Sequence, residues 1–141
     1  MVKYDDASWH SGGDFPGDSP ERLGGTHIGL FLRWCFGRGW AGAEHLDERR
    51  DDVDAVINEK LSGSDFLFRH CDGKLCAEDP SAEGNAFAAK YYGSQGLYLR
   101  DYALVFDTET YRKPEEAHDY GVFRRMLDER LRSGVMTLDD L

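Results

Sequence analysis

The chain has 141 residues, of which 40% are hydrophobic and 13% aromatic. That is enough to bury one core and too apolar for a disordered segment. Twenty-seven acidic residues against 17 basic ones leave a formal charge of −10, which disfavours direct binding to nucleic-acid phosphates or to an anionic membrane surface. No apolar run approaches the about 18 residues that cross a bilayer. The opening residues turn acidic at Asp5 without an apolar signal core, so a cytoplasmic protein is expected. Cys35, Cys71 and Cys76 are an odd count in such a compartment and are expected to be reduced thiols.

Residues 1–25 hold five glycines and two prolines with little apolar periodicity, and read as a long irregular segment. Tyr4, Trp9, Phe15 and Leu23 are the side chains that would peg it to the body. Thr26 then reads as a helix N-cap. Ile28, Leu30, Phe31, Leu32, Trp34 and Cys35 make the following helix apolar nearly all round, the mark of a buried central helix, with Arg33 its one charged interior position. Gly37 and Gly39 stop it.

Leu46, Val53, Val56, Ile57 and Leu61 lie at three- and four-residue steps and predict one helix over residues 43–61. Ser64 reads as the cap of a short helix over 65–70, and Asp72-Gly73 as a turn. Lys74-Leu75-Cys76 is too short to classify. Asp79-Pro80 reads as the next helix start, with a capping acid before a first-turn proline, and Gly84 as a close-packing point. The 99/102/103/106 spacing favours a helix over residues 96–106. Pro114 opens the last helix, acidic at its start and basic at its end, as the helix dipole prefers. The expected fold is mainly α: a single domain spanning residues 1–141, with five or six helices and an irregular N-terminal segment packed on them.

His10 with Asp5, Asp6 and Asp14 is the most suggestive polar group. A metal would accept such donors, and a carboxylate could orient His10 as a base. The spacing matches no metal signature, and acids beside glycine turns commonly bond their own backbone. His27 would need a partner such as His10 or Asp14 to act in catalysis, and otherwise anchors the N-terminal segment through a hydrogen bond. His70-Cys71 with Cys76 offers up to three zinc ligands, and only the fold could bring His45 or His118 as a fourth. Neither glycine pair is a phosphate loop, since no helix follows Gly12-Gly13 and no lysine follows Gly24-Gly25. No cofactor or metal is therefore expected.

The acids are unevenly spread. Residues 44–79 hold eleven acids and five bases, and Glu48, Asp51 and Asp52 sit in the densest part, expected to be a wet helix face. Tyr92, Tyr98, Tyr111 and Tyr120 are the tyrosines expected at the surface, where Tyr beside acids suits a protein interface. Tyr91 and Tyr102 fit core packing.

The stretch Tyr4-Asp5-Asp6, Trp9-His10, Gly12-Gly13-Asp14-Phe15-Pro16, followed by Thr26-His27-Ile28-Gly29, Phe31 and Trp34, resembles a family of small uncharacterised bacterial proteins. Glu83-Gly84-Asn85-Ala86-Phe87, Tyr91-Tyr92 and Asp101-Tyr102 are similar to its second signature. The resemblance implies no activity. In size and acidity the chain is also similar to the immunity partners of bacterial toxins, a likeness that brings no site residue with it.

Two functions follow as expectations. The first is a non-enzymatic domain that binds a basic protein partner, in the manner of a toxin immunity protein, through Glu48, Asp51, Asp52 and the surface tyrosines. The second is a small enzyme or ligand-binding domain with a pocket between the N-terminal segment and the 26–37 helix, using His10, Asp14 and His27.

Overall fold

In the computed structural model, residues 3–10, 24–92, 97–106 and 117–133 are described, without the side chains of 9, 10, 105, 106, 117–119 and 133. Strand β1 (Lys3–Asp6) and a short 3-10 turn (Ala7–His10) precede helix α1 (Thr26–Gly37). Then come α2 (Ala43–Glu48), α3 (Arg50–Ile57), α4 (Gly63–His70), β2 (Lys74–Cys76), α5 (Ala82–Tyr91), α6 (Leu97–Phe106) and α7 (Ala117–Ser133). The fold is mainly α with a small two-stranded sheet. The seventh helix arises because residues 43–61 form two helices rather than one.

Helix α1 is the axis of the molecule. Every residue from Thr26 to Phe36 is buried, as its all-round apolar character requires. Its most extensive packing is on α4, where a Cβ on Gly63 would lie 2.0 Å from the Gly29 carbonyl oxygen and one on Gly29 would lie 2.5 Å from the Ser64 amide. No side chain fits at this crossing, so the two backbones touch through glycine. Helices α3 and α7 pack on other sides of α1, and one core cluster runs from Ala7 through Phe31, Val56, Phe66 and Tyr91 to Leu127. The interior charge of Arg33 is met by the Tyr120 ring, 3.8 Å from its guanidinium carbon, and by Glu59 at 3.2 Å.

Several local expectations are corrected. Thr26 is the first residue of α1, and Gly25, without a side-chain cap bond, precedes it. The α4 cap is Ser62, whose hydroxyl accepts the Asp65 N–H at 2.9 Å, and Ser64 lies inside the helix. The α5 cap is Ser81, accepting from Gly84, so Asp79-Pro80 stands before the helix. The turn at Asp72-Gly73 is present, with φ of 55° and 72°, and it reverses the chain into β2.

The larger correction concerns the N-terminus. Residues 3–6, read as irregular, are a strand paired antiparallel with β2, with Asp5 opposite Leu75 and Asp6 opposite Lys74. The Tyr4 hydroxyl donates to Asn85 at 2.8 Å, so the strand is tied to α5 as well as to its partner strand. Residues 11–23, 107–116 and 134–141 lie outside the described residues, and with them Asp14, Phe15, Leu23, Tyr111 and the Pro114 helix start.

Candidate functional site

Of the catalytic candidates, only His27 has a described side chain. It is fully buried, and its Nε2 lies 2.8 Å from Asp5 Oδ2. Asp5 Oδ1 accepts the Asp6 N–H at 2.8 Å, so both carboxylate oxygens are engaged. Tyr98 and Tyr102 pack around the imidazole, with ring centroids 6.3 and 5.5 Å away. This pair fastens β1 to α1, the anchoring role open to His27 from the start. The His10 and Asp14 side chains lie outside the described residues. Asp6, also in the candidate metal group, binds its own neighbourhood: burial raises its carboxyl, but bonds from Ser8 and Lys3 more than compensate and hold it below the usual range.

The tyrosine expectation is overturned at two positions. Tyr92 and Tyr98 are buried in the core at 8% and 0% exposure. Their rings pack on Phe31 with centroids 5.0 and 5.2 Å away, and the Tyr98 hydroxyl donates to the His27 carbonyl at 2.5 Å. Burial pushes both phenols well above their usual pKa. Polar tips let tyrosines look like surface residues in sequence, but at Tyr98 a carbonyl inside the core satisfies the hydroxyl equally well. Tyr120 is half-buried over Arg33, and Tyr111 is outside the described residues. Tyr91 and Tyr102 are core residues as expected.

The acidic stretch divides at Arg49, where φ of −135° separates α2 from α3. Asp47, Glu48 and Asp51 are exposed and, with Asp52, Arg49, Arg50 and His70, line an open depression of about 410 Å³. Asp52 is committed within the fold: His70 Nε2 approaches its Oδ2 at 2.6 Å and Arg69 Nη1 donates to the same oxygen at 3.3 Å. The His70 bond is the main reason its carboxyl sits below the ordinary range. A second groove, of about 380 Å³, lies along α1 beside Arg33, Arg38, Tyr120, Arg124 and Asp128. Val56 and Ile57 of α3 complete this groove between α1 and α7.

The densest chemistry lies elsewhere. Backbone pairing brings the segment before α2 against the segment before α5. Ala41 bridges Pro80, the Gly42 N–H donates to the Asp79 carbonyl at 2.8 Å, and the Ser81 N–H to the Trp40 carbonyl at 2.8 Å. Only glycine permits this approach, because a Cβ on Gly42 would lie 2.1 Å from the Glu78 carbonyl oxygen. The clamp places His45 of α2 beside Asp79, with His45 Nε2 and Asp79 Oδ1 2.8 Å apart and both side chains 5% exposed. Cys71, at the end of α4, brings its Sγ to 3.9 Å from the same nitrogen. Asp79 Oδ2 accepts the Cys76 N–H at 2.7 Å. These residues line a cavity of about 300 Å³ with Arg49, His70 and Lys74.

By spacing in the sequence, Cys71 groups with His70 and Cys76. The fold sends His70 to Asp52 and joins Cys71 to His45 and Asp79. In the sequence His45 is only a distant fourth ligand, and Asp79 reads as a helix cap. This group lacks the order of a Cys-His-Asp catalytic triad, because sulfur and carboxylate meet the same imidazole nitrogen, whereas a triad uses both nitrogens. Burial, then Asp79, also pushes the Cys71 thiol up, away from the thiolate a nucleophile needs.

Residues 3–120 match the domain of unknown function DUF7832. The chain belongs to that family. No curated protein and no solved structure matches the chain. Among the described residues, no helix is long and apolar enough to cross a membrane.

Proposed function

We propose that this DUF7832 protein is a binding domain for a basic protein partner, acting as an immunity-type protein that occludes a basic toxin surface. The observation that supports this reading is the α2–α3 shoulder, where Asp47, Glu48 and Asp51 stand exposed around one depression on a chain of charge −10. Acids so placed steer a cationic partner and speed its association. Asp52, held by His70 and Arg69, would shape the depression and leave the contact to its exposed neighbours. Tyr92 and Tyr98 take no part in such an interface, and Tyr120 remains available at its half-buried position.

The test is a candidate toxic protein encoded beside this chain, co-expressed and then titrated in vitro. Growth is expected to be rescued by the wild type. Association should slow about tenfold or more when Asp47, Glu48 and Asp51 are replaced by Lys, and it should weaken as salt rises. A complex indifferent to both salt and these substitutions would place the interface on another face.

A further inference from the structure

We propose that His45 Nε2, Cys71 Sγ and a carboxylate oxygen of Asp79 bind one divalent transition-metal ion of the zinc class. The three ligand atoms lie within 4.8 Å of one another; His45 comes from α2, Cys71 from the end of α4 and Asp79 from the segment before α5, and the Gly42 clamp joins the first to the last. Two donors on one tetrahedral zinc stand about 3.3–3.6 Å apart, given metal–ligand distances of about 2.0–2.3 Å. The Sγ to Nε2 distance of 3.9 Å needs a small contraction. The Nε2 to Oδ1 distance of 2.8 Å needs an expansion of about half an ångström as metal replaces the bridging proton.

The donor set favours this ion class over calcium or magnesium. Imidazole nitrogen and thiolate sulfur suit zinc and its neighbours, while hard cations take oxygen. One outer contact is already in place: the Cys76 N–H holds Asp79 Oδ2 and leaves Oδ1 turned to His45. A ligating carboxylate is ordinarily pinned in this manner. Three protein ligands leave a fourth position open to the 300 Å³ cavity, where a water or a small anion would complete the shell.

Binding is balanced in protons. The Cys71 thiol proton leaves to solvent, and the proton on His45 Nε2 moves to Nδ1. Arg49, whose Nη1 now lies 3.3 Å from Nδ1, then turns outward to Glu48, already 3.7 Å from its Nη2. The site adjoins the α2–α3 shoulder, sharing Arg49 and His70 with its depression, but its three ligands lie outside that depression and it does not depend on a partner protein.

The test uses the full chain, reduced, chelator-treated and titrated with cobalt(II) as the spectroscopic probe. One equivalent is expected to bind with tetrahedral d–d bands and a thiolate-to-metal charge-transfer band, all displaced by zinc. Cys71→Ser should abolish the charge-transfer band and weaken binding tenfold or more, while circular dichroism reports an intact fold. Cys35→Ser should leave the spectrum unchanged. Wild-type chain that binds no cobalt, or gives only weak octahedral bands without a thiolate band, would overturn the proposal and leave a buried His-Asp hydrogen bond. This readout stands even if the Cys71 variant fails to fold.

Discussion

His27 and His45 sit in closely similar pairs, each with Nε2 2.8 Å from an aspartate oxygen and each almost wholly buried. Their surroundings differ. His27 is packed by Tyr98 and Tyr102 and joins the first strand to the central helix. His45 borders a cavity, with a sulfur within 4 Å of the paired nitrogen. The same two residue types therefore fasten the fold in one region and assemble a ligand set in the other. Burial alone does not separate these roles, but a third donor and open space do.

The strongest way to break this comparison is at the sealed pair. His27→Ala or Asp5→Ala breaks this buried pair and takes a partner from the polar group left behind, which should cost about 3–5 kcal/mol in urea denaturation. A loss below about 1 kcal/mol would show that β1 is not fastened through this bond. Gly42→Ala acts on the other region. Its Cβ collides with the Glu78 carbonyl, so about 1–3 kcal/mol should be lost, together with the cobalt spectrum, while tyrosine fluorescence around His27 is retained.

A smaller effect sharpens the comparison with the third, more open pair, His70 and Asp52. The folded Asp52 carboxyl lies below its ordinary value of 3.8. Its contribution is therefore present above that value and is lost as pH falls through the lower folded pKa. Stability of the wild type should decline through this acid range, and Asp52→Asn should flatten that part of the pH profile. The smallest stability change belongs to the exposed acids. Lys at Asp47, Glu48 and Asp51 should shift stability by no more than about 0.5 kcal/mol each, measured by thermal melting, even where partner association collapses.

Much of the helical body was legible in residue order. The all-round apolar run from Ile28 to Cys35 specifies a buried helix wherever its partners lie, and Gly37 and Gly39 end it. The spacing of residues 99, 102, 103 and 106 chose helix for α6. Gly84 was readable as a packing point, and a Cβ there would meet Pro80 at 2.6 Å. Strand β1 was not legible because its partner, Lys74–Cys76, is too short to announce itself and lies some seventy positions away. The apolar spacing of 43–61 predicted one helix. The clamp on one side and the core contacts of Val53 and Val56 on the other turn the chain at Arg49.

The candidate metal group divides the same way. Residue types alone put imidazole and thiol donors in the chain, but no local spacing joins His45, Cys71 and Asp79. Local periodicity and turn chemistry act over a few residues, so they settled which segments are helical, where several of them stop and which helix is central. Convergence of distant side chains depends on backbone approach, here the Gly42 clamp and the Gly29–Gly63 crossing. Only tertiary packing could decide that His27 is an anchor, that Tyr92 and Tyr98 are core, and that His45 meets a cysteine.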